Sequence, residues 1–518
     1  MNRILTVFIL TLPFMINGQV NSLLDSSFNK IGYKLLDLGN DDEKANSCFL
    51  SAKNKIYVSG GSSTSSSDRA FITRLNDNGL VDSSFNSTGT IINSTFYSIY
   101  DSYEDANNNI IVTGAKSLLN QNMVIARILE NGTYDKAFSG DGIQEINFND
   151  QEDVAKKIKE DSKGRYVVAG TTGDGFYTDV LLSRLDHSGN LDKSFNQTGY
   201  LVLNFGPKDR SYAADFLIIN NNKILLLVNH YAETSTSYNI NCFLINENGT
   251  IDSTYGVNGK LMIDINNQTD VACSIIQADG AFWIGGYTTK SNRDQIIIAK
   301  LDSLGHLDAN FGNKGISINA IGSSSMTPTS MKISSDKSFR LSGRISTSGY
   351  PDACIVGISS KGTIDSSFAV NGVFQFNRSN RTDHFNSFFI YPTGQIIAAG
   401  FSEDSIDDKT IILKLKNKIS VGIIDQYKTI SLTKFFPNPF QHNATIEMNL
   451  NESLEFGIRL FDESGKYISE LVPNKSYNAG LIEVPIEVPN QLRSGNYILV
   501  IQSKNKILAS IKTKFLNQ

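Results

Sequence analysis

Short runs rich in β-branched and aromatic residues, separated by turns of Gly, Asn, Asp and Ser, fill most of this chain, and no stretch shows helical period. The first repeat sets the order. Ser47 to Leu50 is apolar, Ala52 to Lys55 is a polar turn, and Ile56-Tyr57-Val58-Ser59-Gly60-Gly61 is β-rich and ends in glycine. A polar loop, the run Phe71 to Leu75, the turn Asn76 to Gly79 and the run Thr90-Ile91-Ile92 follow. The pattern predicts four short strands per repeat. The second strand recurs as Ile110–Gly114, Tyr166–Gly170, Phe282–Gly286 and Ile396–Gly400. The third recurs as Val124–Ile128, Leu181–Leu185, Ile296–Leu301 and Ile411–Leu415. The fourth repeat departs most: its second strand is the degenerate Ile224–Val228, Asn229 replaces the terminal glycine, and Leu244 replaces the Arg or Lys of the third strand.

Each repeat carries one phrase, a hydrophobic residue, Asp, two small or polar residues and an aromatic. The pairs are Asp25/Phe28, Asp82/Phe85, Asp135/Phe138, Asp192/Phe195, Asp252/Tyr255, Asp308/Phe311 and Asp365/Phe368. Steps of 57, 53, 57, 60, 56 and 57 residues between the aspartates mean one structural unit repeated. Four strands in about 56 residues are the dimensions of a propeller blade. A blade cannot bury both faces alone; a straight stack leaves two apolar ends and a ring leaves none. The phase of the repeat favours the ring, because the first phrase has no third strand before it and the last third strand has no phrase after it. The expected fold is therefore all-β: a seven-bladed β-propeller over residues 24–416, closed by an N-terminal strand from 24–38 that covers an open sheet edge. A three-sided β-solenoid is the structural alternative.

The period stops near Asn417, residues 417–430 read as a linker, and a new pattern opens at Phe435-Phe436-Pro437-Asn438-Pro439-Phe440. Strand-like stretches at Ala444–Asn449, Phe456–Phe461, Leu481–Val488 and Asn496–Gln502 predict a small C-terminal β-sandwich over 431–518. This tail resembles the C-terminal sorting domain of the type IX secretion system of Bacteroidetes. Pro437, Asn438 and Pro439, the turn with Gly465 and Lys466, then Gly480, Gly495, Tyr497 and the basic ending with Lys514 carry the resemblance. It implies as partners the type IX translocon and its sorting machinery, and delivery through the periplasm to the outer surface or medium. The repeats resemble the bacterial delta-60 repeat, a propeller family. The phrase Leu-Asp-Ser-Ser-Phe, with Gly89, Gly199 and Gly372 following the corresponding aromatics, carries that likeness.

At 518 residues the chain exceeds a single core. A net charge of −5 argues against nucleic acid as a partner, because neutralising phosphates takes a basic surface. Arg3 and the apolar run Ile4 to Phe14 read as a signal peptide over residues 1–18. No later segment is long and apolar enough to predict a transmembrane span, and the chain is expected to be monomeric. Cys48 lies twelve residues before Gly60 and Cys273 twelve before Gly285, which places both in one slot of separate repeats as buried thiols rather than a disulfide.

Chemistry leaves few marks. The phrase aspartates could form carboxylate rings for calcium, but a residue needed in every repeat reads as turn scaffolding. A second series, Asp68, Asp179, Asp294, Asp352 and Asp408, precedes the third strands, with Arg74, Arg127, Arg184, Lys300 and Lys414 as candidate partners. No catalytic residue, metal site or cofactor is expected: G-x-S-x-G, H-E-x-x-H and P-loop patterns are absent and the five histidines are scattered. The irregular feature is the polar loop after each second strand. Tyr177, Tyr231, Tyr238, Tyr287 and Tyr350 lie in these loops, beside Asn and Asp, where rings could stack on sugars and amides bond hydroxyls. We read the chain as an exported, non-enzymatic binding module for a glycan or another surface ligand; a propeller-fold polysaccharide hydrolase or lyase is the alternative.

Overall fold

The computed structural model describes residues 23–39, 42–64, 67–116, 121–235, 237–346, 349–378, 381–403, 407–417, 430–437, 440–462, 467–489, 492–503 and 506–516. The signal segment 1–18, nearly all of the linker, and Asn438, Pro439, Gly465 and Lys466 lie outside the described residues. Among those described, the regular elements are strands, apart from a 3-10 turn at Asn220–Asn222. The chain divides into two compact units, Met1–Asn417 and Lys418–Gln518.

In the larger unit the strands fall into antiparallel groups of four. The first group runs Asp42–Leu50, Ile56–Ser63, Asp68–Leu75 and Thr90–Asn93, each strand bonded to the next. Five more groups repeat this order through Val373–Phe376. The third and fourth groups are also joined by one parallel bridge, Thr178 to Arg210. The last group supplies three strands, Asp383–Ile390, Ile396–Glu403 and Asp408–Leu415. Its fourth strand is Tyr33–Leu36 from the other end of the repeat region, with Tyr33 opposite Leu413 and Leu36 opposite Thr410. Strands run further than the apolar runs that announce them. The first strand begins at Asp42, five residues before Ser47, because ladder hydrogen bonds come from the backbone and continue through polar side chains.

The first strand of every group carries a β-bulge at the same place: after Ala45, Ile99, Ala155, Ala213, Ala272, Pro328 and Phe385. The second-strand residue opposite each is Gly60, Gly114, Gly170, Val228, Gly286, Gly343 or Gly400. Glycine suits the position because a Cβ on Gly60 would meet the Lys44 carbonyl oxygen at 1.9 Å. This register corrects two expectations. The glycine slot of the fourth group is held by Val228, not Asn229. Cys273 is the bulged residue of its strand whereas Cys48 lies two places beyond its own bulge, so the two occupy different slots; all four cysteines are free.

Apolar clusters lie between consecutive groups. Phe85 sits with Ile72 and Val112 between the first and second, Phe138 with Val168 between the second and third, and Phe195 with Leu226 between the third and fourth. Tyr255 and Phe311 fill the next two, and half-buried Phe368 packs against the sixth. Phe28 lies with Ile397 and Ile412 of the last group and Val58 of the first. A fully buried phenylalanine contributes roughly 2–3 kcal/mol of transfer free energy, so the phrase aromatics alone supply much of the adhesion between groups.

Polar bonds repeat along with the cores. The bulged Asn46 donates to the Ile99 carbonyl at 2.9 Å, Thr329 to that of Phe385 at 2.6 Å, and Asn386 to that of Ala45 at 2.8 Å. One residue on, a side-chain oxygen accepts a backbone N–H of the next group: Ser47 from Ser102 at 3.2 Å, Asp101 from Ile158 at 3.2 Å, Asp215 from Ile275 at 3.1 Å, Ser274 from Met331 at 3.1 Å and Ser387 from Cys48 at 3.1 Å.

The smaller unit holds two sheets over one core. Ile430–Phe436, Asn443–Leu450 and Gly480–Glu487 form one; Tyr467–Tyr477, Leu454–Asp462, Gly495–Ser503 and Lys506–Phe515 form the other. Ile446, Met448, Phe456, Ile458, Val484 and Leu499 meet between them. The hydropathy pattern missed the strand Tyr467–Tyr477 because most of its side chains are exposed and its apolar residues do not alternate along it.

Candidate functional site

The phrase aspartates act as local clamps. Asp82 Oδ1 accepts the Ser84 N–H at 3.2 Å and its hydroxyl at 2.7 Å, while Oδ2 pairs with Arg74 Nε at 3.0 Å. Asp135 pairs with Arg127 at 2.7 Å, Asp192 with Arg184 at 2.8 Å and Asp308 with Lys300 at 2.8 Å. Asp25 bonds Ser27 at its turn. In the fourth group, where Leu244 leaves no base on the third strand, Lys223 of the second strand reaches Asp252 at 2.6 Å. In the sixth, Gly357 holds the base position and Arg340 reaches Asp365 at 3.2 Å. The guanidinium of Arg184 lies over the Phe195 ring at 4.8 Å and donates to the Glu247 carbonyl of the next group; Arg74 and Arg127 do the same to Glu130 and His187 at 2.6 Å. Lys414 of the last group reaches Asp77 of the first at 2.7 Å.

These bases therefore do not pair with the second aspartate series. Asp68 accepts the Ser63 hydroxyl, Asp179 the Asn204 amide, Asp294 Thr289 and Thr327, and Asp352 Gln375 and Asn377, while Asp408 pairs with Lys44 at 2.6 Å. Among the described residues no group of three or more His, Cys, Asp or Glu is placed to hold a metal ion.

Of the five tyrosines, Tyr177 and Tyr350 stand in loops of the third and sixth groups, 38% and 62% exposed. Tyr231, Tyr238 and Tyr287 are strand residues instead, because the ladders continue past the apolar runs. Tyr231 and Tyr238 face each other across a hairpin, ring centroids 5.3 Å apart, and Tyr212 meets Tyr238 edge-on at 6.0 Å. Burial pushes the Tyr287 phenol up to about 12, with Asp294 and Tyr238 adding to the rise. Burial also raises Tyr212, with Tyr287 and Tyr238 as the charged-form neighbours. Tyr212, Tyr231 and Tyr238 thus form one aromatic patch in the fourth group.

Beside this patch runs a Ser-His-Asp chain. The Ser211 hydroxyl lies 2.9 Å from His230 Nδ1, and His230 Nε2 lies 3.6 Å from Asp209. Ser211 has no exposed surface, so its oxygen is not presented as a nucleophile. Burial holds His230 below the usual histidine range.

A second cluster, missed in the sequence, lies on the first strands at the bulges. Where other groups place Ser47, Asp101, Asp215, Ser274 and Ser387 as acceptors, the third group places Lys157, which can only donate. Burial alone would lower the Lys157 ammonium, but the Asp101 and Asp215 carboxylates outweigh it and hold it above the usual range. Lys159 bonds Asp215 at 3.0 Å and the Phe216 carbonyl. Lys156 Nζ sits 3.5 Å from the centre of the Tyr100 ring, and burial with Lys157 nearby lowers it to about 8. Lys332 of the sixth group is exposed. Alignment of the repeats on their bulges, rather than on their apolar runs, is the signal that singles out Lys157.

Residues 434–515 match the model of the secretion system C-terminal sorting domain, and residues 54–85 match that of a domain of unknown function, DUF5122, described as a beta-propeller. No curated protein matches. Among solved structures, a fungal alcohol oxidase in complex with copper shares 10% identity at TM-score 0.43, covering 93% of this chain and 98% of that one. A protein of unknown function from Dyadobacter fermentans shares 11% at TM-score 0.41 over 75% of this chain and 98% of that one. Sqt1 from Chaetomium thermophilum shares 12% at TM-score 0.37, covering 80% and 94%. Likenesses at these scores say nothing about the activity of this chain.

Proposed function

We propose, for a β-propeller chain that ends in a type IX sorting domain and is exported to the cell surface or medium, that its repeat region is a closed seven-bladed ring serving as a binding module. The equivalence of junctions carries the ring: Asn386 to Ala45, Ser387 to Cys48 and Lys414 to Asp77 repeat, between last and first groups, bonds found between internal neighbours. The tail, as a sorting domain, engages the type IX machinery. On this reading residues 24–416 form one domain and 431–518 a β-sandwich, with the phrase residues as joints between blades.

The ligand surface on this reading is the rim where second strands turn into third strands. The half-buried patch of Tyr212, Tyr231 and Tyr238 supports it, because its rings are held by one another and still reach solvent, as stacking on a sugar requires. The buried hydroxyl of Ser211 favours binding over acyl-transfer or hydrolytic use of the adjacent histidine. A glycan array probed with the full chain tests this. Binding that falls at least tenfold in Tyr238→Ala, without turnover, supports the module. Turnover of a polysaccharide, with Tyr238→Ala binding unchanged, replaces it with the hydrolase or lyase reading.

A further inference from the structure

A groove of about 1070 Å³ runs over the third, fourth and fifth groups, and neither the phrase clamps nor the tyrosine patch accounts for it. Half-buried Phe205 and buried Phe243 line its inner side, and exposed Ile251, Val257 and Met262 line its open side. Val257 is 76% exposed and Met262 54%, so both are apolar surface rather than core. Phe205 meets Phe243 edge-on at 5.8 Å and stacks on the His230 ring at 4.4 Å. The chain of Ser211, His230 and Asp209, which presents no nucleophile, thereby holds Phe205 in place. Small-molecule sites enclose roughly 300–1,000 Å³, so the groove is of a size for one compact ligand.

Two residues of the lining set the fourth group apart, and they face each other in its ladder: Phe243 on the third strand and Lys260 on the fourth. Where Phe243 stands, the other groups place Thr73, Ala126, Ser183, Ala299, Val356 and Leu413, so the ring is peculiar to this group. Opposite those residues stand Thr90, Ile143, Tyr200, Ile316, Val373 and Tyr33, so the cation is peculiar to it as well. A residue that the scaffold required would recur with the repeat, as the phrase aromatics do. Among the described residues the Lys260 ammonium makes no ion pair, whereas the other ionisable side chain of the lining, His306, is paired with Asp302 at 3.1 Å. The groove therefore sets one uncommitted cation beside apolar walls.

We propose that this groove binds a small amphipathic acid, an apolar body carrying one carboxylate or sulfonate. The body covers Phe205, Val257 and Met262 and takes their apolar surface out of water, which supplies the affinity. The acid pairs with Lys260, which selects the sign of the ligand's charge. Asn204 and Asn258, on the same lining, carry amide donors for acid oxygens. The site rests neither on closure of the ring nor on the tyrosine patch, because its residues belong to three consecutive groups and none is one of those tyrosines.

Calorimetric titration of the full chain with sodium dodecanoate, kept below its micelle concentration, and with sodium naphthoate tests the site. Dodecyltrimethylammonium and naphthalenemethanol are the counterparts without the negative charge. The expected result is saturable binding of at least one acid that weakens at least tenfold in Val257→Asp and in Lys260→Glu and persists in Lys260→Arg. Ile318→Asp, which alters an exposed apolar residue outside the groove, should bind as the parent does. Val257 lies at the surface, so its variant remains informative if Lys260→Glu does not fold. Binding of dodecanoate alone supports an acyl chain as the body, binding of naphthoate alone supports an aromatic one, and binding of both supports the shared chemistry. A counterpart that binds as tightly as its acid, variants that bind as well as the parent, or no saturable binding of either acid overturns the site. The glycan array judges the tyrosine patch separately, so glycan binding that survives Val257→Asp leaves that reading standing whether or not an acid binds here.

Discussion

Asn386 donates its side-chain amide to the backbone carbonyl of Ala45 at 2.8 Å, across 341 residues of sequence. Asn46 makes the same bond to Ile99 at 2.9 Å across 53 residues. Two bonds of one geometry, one local and one spanning the repeat region, are what the proposed ring requires.

If the junctions are equivalent, removing either amide has the same cost. Asn386→Ala and Asn46→Ala should each destabilise the chain by about 1–2 kcal/mol, since each leaves a carbonyl short of a donor. Urea unfolding midpoints check this. A far smaller loss for Asn386→Ala than for Asn46→Ala would mark the last junction as loose.

Phe28 gives a stronger version of that comparison. It is fully buried between the last and first groups, as Phe138 is between the second and third. Gly79 accommodates it: a Cβ there would lie 3.0 Å from the Phe28 ring, and the backbone at φ +80° favours glycine. Phe28→Ala and Phe138→Ala should each cost about 3–5 kcal/mol in chemical denaturation. Gly79→Ala should destabilise measurably as well, by contact with the ring and by strain in the left-handed backbone.

Three buried carboxylates should each lose their contribution to stability as pH rises from about 4 to 7, while His384, which burial lowers to about 4, works in the opposite sense over the same range. Burial raises Asp270 and Asp383 to about 6 and Glu43 to about 7. A raised folded-state pKa means that the unfolded chain ionises first, so the contribution is fully present below pH 4 and is lost on the way up through the folded pKa. The paired Asp252 and Glu247, held near 2, act in the opposite sense only below about pH 4. Asp270→Asn and Asp383→Asn keep an acceptor for the Ile265 and Arg378 N–H groups. Their denaturation midpoints should therefore gain on the parent as pH rises from 4.5 to 7. Parallel curves would show that the two carboxyls ionise normally.

Export is separable from folding of the repeats. Removal of residues 431–518 should retain the protein in the periplasm, as followed by fractionation and immunoblotting. Normal delivery of the truncated chain to the surface or medium would contradict a sorting role for the tail.

Much of the architecture was legible because each strand group repeats the same short message. Phe28, Phe85 and Phe138 mark the cores directly, since a buried ring must recur wherever two groups meet. The base partners of Asp82 and Asp192 were not legible, because the clamp folds back along one repeat while sequence spacing set each arginine with the aspartate at the start of its own strand. Tyr287 was placed in a loop because hydropathy ends there, though backbone pairing does not. Lys157 was overlooked for a related reason. Its slot is defined by a bulge, and a bulge leaves no mark on hydrophobic period.

The most direct measurement is electron-microscopy class averaging of the chain viewed along the axis of its repeat region. Seven radial sheets in an unbroken ring, with the sheet formed by Tyr33–Leu36 and Asp408–Leu415 indistinguishable from its neighbours, is the expected image. An open arc at that sheet, or six or eight sheets about the axis, would contradict the closed ring.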